Sequence, residues 1–147
     1  MTEEQQQAKC VIYFNNQYPH FRGRLFRTEN QTNKNKTAIG LVKGVSDLQF
    51  VLSDGRLVPL ENKVNYTRHD VLHLERQLIW LSDIKKLSGL AFFFFSYEHF
   101  KMIIDLLVRH ENTYQLLQNE SDITIEYINK LISDNYEKKT VKLNFSF

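Results

Sequence analysis

The sequence predicts an α/β or α+β protein in which a mixed central β-sheet is flanked by helices. Three observations carry that expectation. Segments near residues 2–17, 70–87 and 97–109 place their core-type residues at helical spacing; two short apolar stretches flank the turn sequence Ser53-Asp54-Gly55-Arg56; and Leu90 to Ser96 is an apolar run of strand length. The order helix, strands, helix, strand, helix then calls for helices packed on a sheet with mixed strand directions.

The first helix runs from about Thr2 to Gln17, with Thr2 as N-cap and Glu3 and Glu4 in the first turn, where carboxylates suit the positive helix end. Glu3, Gln7, Cys10 and Phe14 share one face of it. Tyr18-Pro19 closes it, because the residue before proline avoids the helical region. Gly23 to Arg27 reads as a short strand, and Thr28 to Thr37, rich in Asn, Thr and Lys, reads as a loop. Val45 to Leu52 and Leu57 to Val64 form a hairpin around the Ser53–Arg56 turn. Asn65 to Arg68 is a loop. A helix from about Asp70 to Leu87 carries the stripe Val71, Leu74, Leu78, Leu81 and Ile84, with His73, Gln77 and Trp80 on an adjacent face and Gly89 as its stop. Leu90 to Ser96 is a strand buried on both faces. Tyr97 to Arg109 is a helix with Phe100, Ile103, Ile104 and Leu107 inward. The remaining segments read as a short helix over Thr124 to Ser133 and a strand over Thr140 to Phe147.

A chain of 147 residues, 42% hydrophobic and 24% charged, fits one globular domain rather than a disordered one. The net charge of +2 is near neutral, but Arg22, Arg24, Arg27, Lys34, Lys36 and Lys43 cluster with Glu29 as the single acid among them. Such a cluster suits either a phosphate backbone or a solvated face. The single Cys10 excludes an intramolecular disulfide and a cysteine-rich zinc site, which fits a reducing compartment. No apolar run approaches the length of a bilayer span, and Met1 to Gln7 is acidic and polar, unlike a signal peptide. The expected location is cytoplasmic, with no membrane partner.

The chemistry of the chain concentrates on the hairpin. Alternation along a strand puts Glu61 and Lys63 on one face, and the hairpin brings Asp47 alongside. Two carboxylates and an ammonium at one point are what metal-dependent phosphodiester hydrolysis uses: oxygen ligands for a hard cation, and a positive group beside an attacking water. Taken singly, each has a structural reading: Asp47 as a turn residue, Glu61 and Lys63 as an exposed ion pair, His73 as a hydrogen-bonding residue and Trp80 as core.

Order and spacing together point further. Glu3 and Gln7; Tyr18, Pro19, Arg22, Gly23, Leu25, Phe26, Glu29 and Asn30; Gly40, Lys43, Gly44, Val45, Ser46, Asp47 and Leu48; Glu61 and Lys63; and His73, Gln77, Trp80 and Leu81 resemble the VRR-NUC family of the PD-(D/E)XK nuclease superfamily, of the stand-alone phage and bacterial type. The resemblance spans about residues 2 to 107. It implies a restriction-endonuclease-like core over residues 1–109, with 110–147 as a C-terminal extension packed on the same single domain. It also implies Mg²⁺ or Mn²⁺ held by Asp47 and Glu61, with the carbonyl of Asn62 and the carboxylate of Glu3 as further ligands. Lys63 would position or deprotonate a water or stabilise the transition state, and Gln77 would orient Lys63 or the water. Arg27, Asn30, Lys34, Lys36 and Lys43 are candidate DNA phosphate contacts, Asn30 and Lys43 foremost because they fall within the matched motifs, the alternative being a solvent-exposed loop.

Three features of this chain set conditions on that picture. Asn62, in a position that is usually apolar, must be hydrogen-bonded or wet. Pro59 lacks a donor, so its strand must be bulged or at an edge there. Glu4 competes with Glu3 as the helix-borne ligand. The implied activity is a DNA endonuclease acting on branched or structured DNA, as a junction resolvase does, with a homodimer supplying two sites for symmetric cutting. The other readings are a non-catalytic DNA-binding protein on the same fold, and an interaction module built on the aromatic-rich C-terminal half.

Overall fold

The structure is a computed structural model that describes residues 1–28 and 46–147. Helix α1 (Glu3–Gln17) starts where the sequence places it: Gln5 N–H donates to Thr2 Oγ1 at 3.1 Å and Thr2 N–H donates back to Gln5 Oε1 at 2.9 Å, a reciprocal cap. It ends at Tyr18, and a 3₁₀ turn over Pro19–Phe21 follows. Strands β1 (Leu25–Arg27), β2 (Leu48–Val51) and β3 (Leu57–Asn62) form an antiparallel meander, with Leu25 opposite Phe50 and Leu48 opposite Leu60. The short strand β4 (Arg68–Asp70) leads into helix α2 (Val71–Ser88). Strand β5 (Phe92–Phe94) then returns parallel to β3 and completes a four-stranded mixed sheet in the order β1-β2-β3-β5. Helices α3 (Tyr97–Val108) and α4 (His110–Asp134) follow, and β6 (Thr140–Lys142) pairs antiparallel with β4 in a separate two-stranded ladder. The fold is thus mixed α/β with helices flanking a mixed sheet.

Alternation along the strands divides the core in two. Leu48, Phe50, Val58, Leu60, Phe92 and Phe94 meet Cys10 and Phe14 of α1 and Phe100, Ile103, Ile104 and Leu107 of α3 on one face. Ala91, Phe93 and Phe95 face the other way, onto Leu74, Leu78 and Leu81 of α2, Ile128 and Ile132 of α4, and Val141, Leu143 and Phe145. The four phenylalanines of the Phe92–Phe95 run are all buried, and each stabilises the fold by ~1.5–3 kcal/mol relative to exposure. Residues 110–147 therefore supply a large part of the second core.

The C-terminal elements differ from the sequence expectation. In place of a short helix over 124–133 there is one helix from His110 to Asp134. Its buried stripe is Leu117, Ser121, Thr124, Ile128 and Ile132, and the two hydroxyl residues interrupt the apolar periodicity that would have announced it. Those hydroxyls have a task. Ser121 Oγ donates to the Ala91 carbonyl at 2.5 Å, and Phe93 N–H donates to Thr124 Oγ1 at 3.3 Å, so α4 satisfies the open edge of β5. Likewise the short strand β4 stands between the expected Asn65–Arg68 loop and the helix start at Asp70; it is too short for alternation to show, and only pairing with β6 defines it.

Pro59 turns out to need neither a bulge nor an outer edge. It lies opposite Gln49, between the pairs Leu48–Leu60 and Phe50–Val58, so its missing N–H points away from β2, and pairing with β5 starts only at Leu60. Gly89 caps α2 at φ 91°, and a side chain there would run into the Tyr114 hydroxyl, which is held by Arg56 Nη1 at 3.1 Å. Gly89→Ala is expected to lower stability by about 1–2 kcal/mol. Combining it with Tyr114→Phe should recover part of that loss in thermal melts; an unchanged melting temperature for Gly89→Ala would contradict the account. Among the described residues no helix is long and apolar enough to cross a membrane.

Candidate metal centre

The hairpin register that makes β2 and β3 also builds the site. Just beyond the Leu48–Leu60 pair the backbone ladder gives way to side chains: Asn62 N–H donates to Asp47 Oδ2 at 3.0 Å, and Asp47 N–H donates to Glu61 Oε2 at 3.2 Å. The two carboxylates are thereby locked to the same strand end. Glu61 Oε1 accepts from Gln77 Nε2 at 2.5 Å, so α2 fixes the other carboxylate oxygen. Lys63 Nζ lies 3.6 Å from Glu61 Oε1 and 3.6 Å from Glu3 Oε1. Asp47, Glu61, Lys63, Gln77 and Glu3 thus come together, from β3, the start of β2, α2 and α1.

Glu3 is half-buried and faces the site, whereas Glu4 is exposed. Helix α1 is anchored there by Asn62, whose buried amide accepts from Gln6 Nε2 at 2.7 Å and donates to the Glu3 carbonyl at 2.7 Å. The condition on Asn62 is met by hydrogen bonding. Gln6 also donates to the Lys63 carbonyl at 3.0 Å. Neither Gln6 nor His69, whose Nδ1 is 3.5 Å from Glu3 Oε1, stands out in the sequence. Gln6 could have been found as the residue one turn beyond Glu3 on the inward face; His69 could not, because β4 carries no pattern. His73 is largely exposed one turn before Gln77, within electrostatic reach of Lys63 and Asp47, and Trp80 is partly buried against the second core. Arg27 is exposed opposite Leu48, with Thr28 N–H bonded to the Asp47 carbonyl at 2.9 Å, so it flanks the same sheet end. Asn30 and Lys43, with Lys34 and Lys36, lie outside the described residues.

Burial, and then the neighbouring Asp47, push the Glu61 carboxyl well above its usual range, with Lys63 only partly opposing. Burial also raises Glu3, opposed by Lys63. Burial and the Lys63 ammonium lower both His69 and His73. Among the described residues the Lys63 ammonium lies 3.6 Å from both Glu3 and Glu61. Among the described residues the buried Gln77 Oε1 meets no donor. Among the described residues no three His, Cys, Asp or Glu side chains form a group able to hold a metal ion by themselves. A cation at Asp47 and Glu61 would need other oxygens as well. The Asn62 carbonyl is one, since an extended residue points its C=O to the same edge as its N–H, and here that N–H points at Asp47. Mg²⁺ is typically held this way, by one or two carboxylates plus waters and substrate phosphate.

The chain matches no known protein family, no curated protein and no solved structure.

Proposed function

We propose that this protein is a metal-dependent DNA endonuclease with a PD-(D/E)XK core, using Mg²⁺ or Mn²⁺. The observation that carries the reading is the reciprocal lock between Asp47 and the Glu61–Asn62 backbone, with Lys63 on the same strand face. Asp47 and Glu61 would hold the cation together with the Asn62 carbonyl, and Glu3 would add a carboxylate from α1. When bound, the metal supplies a water of lowered pKa and a counter-charge to the scissile phosphate. Lys63, buried and pre-aimed, stabilises the negative charge that builds on the phosphate or orients the attacking water. Gln77 keeps Glu61 in place through its amide. Arg27 lies where it would meet the backbone phosphates leading into the site, a contact that weakens with salt. Branched DNA is the substrate class, and a C₂ homodimer would present two sites to its two strands.

A non-catalytic DNA-binding role draws on the lack of a self-sufficient three-group metal cluster among the described residues. One experiment separates the two: a labelled four-way junction and its linear duplex, incubated with Mg²⁺, Mn²⁺ or EDTA, with Glu61→Gln as control. Cutting that needs the metal and Glu61 supports the nuclease, and the ratio between substrates reports the preference for branches. Salt-sensitive binding with no cutting under either metal establishes the binder instead.

A further inference from the structure

Immediately beyond Lys63 the chain borders a cavity of about 430 Å³, between the Val64–Tyr66 loop, the start of α3 and the C-terminal segment. Gln6 reaches both places, bonding Asn62 and the Lys63 carbonyl while lining the cavity. The volume falls within the range of sites that take small ligands and is too small for a duplex. Phe95, Phe145 and Phe147 line it, and behind them His99 completes a ring cluster, with centroids 4.6 Å apart for Phe95–Phe145, 5.0 Å for His99–Phe145, 5.7 Å for His99–Phe95 and 4.8 Å for His99–Phe147. Of the lining rings Phe147 is exposed, and a second exposed ring, Tyr66, also lines the cavity.

Tyr66 is held there against its own preference. It has φ 64°, the one non-glycine residue with positive φ among those described, a conformation that costs about 1 kcal/mol or more for a residue with a Cβ. Its N–H donates to the Leu143 carbonyl at 2.8 Å, and the neighbouring Asn65 side chain is bonded both ways to the Phe145 backbone at 2.8 and 2.9 Å. The C-terminal segment thus fixes the loop that presents the tyrosine. Opposite, Glu98 offers a carboxylate in the first turn of α3, also paired with Lys101 at 3.0 Å. A carboxylate repels phosphate but accepts from the exocyclic amino groups of bases.

We propose that this cavity receives an unpaired nucleobase of the DNA strand whose phosphate lies at Glu61 and Lys63, stacked by Tyr66 and Phe147. The inference rests on the nuclease reading of the strand end, and it deepens that reading by naming the substrate: DNA with an unpaired residue beside the cut, as at a branch, tail or frayed end. Flat rings accept any base, so the site selects for unpaired structure rather than sequence.

The test uses the full chain in EDTA, where binding is read without cleavage. Branched DNA carrying 2-aminopurine at successive unpaired positions is compared with the same DNA abasic at those positions. At one position the base is expected to bind about tenfold more tightly than the abasic form, with its fluorescence quenched. Quenching should be lost in Tyr66→Ala and kept in Tyr66→Phe. Equal affinity for base and abasic DNA at every position overturns the proposal and needs no variant. Adenosine monophosphate that binds as tightly as the DNA would also overturn it, since the occupant would then be a free nucleotide. A base-dependent signal without cleavage in Mg²⁺ or Mn²⁺ would remove the nuclease reading and keep the pocket; cleavage without base dependence would do the reverse.

Discussion

Glu61→Gln is expected to abolish cleavage and, at the same time, to raise the stability of the metal-free protein. The substitution preserves shape and leaves an amide oxygen able to accept from Gln77, but it removes a buried charge that Asp47 and Glu3 both disfavour. If Glu61 holds the cation as proposed, its loss gives up several kcal/mol of charge stabilisation, and at about 1.4 kcal/mol per factor of ten the rate falls on the order of 10³-fold or more. Stability should rise by about 0.5–2 kcal/mol, the range seen when a functional site is relieved of strain. The two effects have different pH signatures. A carboxyl whose folded pKa stands above its unfolded value binds its proton more tightly when folded. Glu61 therefore contributes most below its ordinary 4.5, and that contribution is lost as pH rises through its elevated folded pKa. Melting temperatures of wild type and variant should converge at low pH and separate as pH rises. A divalent cation competes with the same proton, so Mg²⁺ or Mn²⁺ should stabilise wild type more at pH 8 than at pH 5 and leave Glu61→Gln unmoved. Melting curves that stay parallel across pH, or a metal-induced shift of equal size in the variant, would show that Glu61 is not the group concerned.

Which parts of this arrangement could be read from the sequence follows from the range of the interactions that make them. Helix α1 was legible to its cap because Thr2 and the Tyr18-Pro19 stop are local devices, whereas the reciprocal bond from Gln5 emerged only in the structure. The hairpin was legible because a four-residue turn between apolar stretches sets its own register, and with it the approach of Asp47 to Glu61. Phe92 to Phe95 could be recognised as doubly buried but not placed, since nothing in the run says that it lies parallel to β3. Helix α4 was half hidden because Ser121 and Thr124 are polar by composition and interior by position, their hydroxyls serving the backbone of β5. The choice of Glu3 over Glu4 was closed only by the Asn62 amide, which ties α1 to the strand and so sets which carboxylate turns inward. Asn30 and Lys43, expected as DNA contacts, lie outside the described residues, and Arg27 alone of that set can be placed beside the site.

Lys63→Met is expected to be the most destabilising single change at the site, by about 3 kcal/mol at pH 8, while also removing activity. Methionine keeps most of the stem volume, so packing is not the main loss. The loss is electrostatic: the Lys63 ammonium is 2% exposed and lies 3.6 Å from a Glu61 carboxylate that is 1% exposed. Without it, Glu61 is left charged and buried beside Asp47, or must take up a proton. Proton uptake limits the damage at low pH, so the destabilisation should shrink toward pH 5, opposite to the behaviour of a packing defect, which would not depend on pH. Glu3 also pairs with Lys63, but it is two-fifths exposed and screened by solvent, and its share should be small. The decisive measurement is the cycle with Glu61→Gln. If the ammonium acts mainly to offset that carboxylate, Lys63→Met in the Glu61→Gln background should cost far less than in wild type, with a coupling of about 1–3 kcal/mol. Stability would then be largely restored in the double variant while cleavage stays absent, because neither the ligand nor the cation at the phosphate has been returned. Additive stability losses would instead mean that Lys63 is held by its stem, and that its charge answers to Glu3 or to a bound substrate rather than to Glu61.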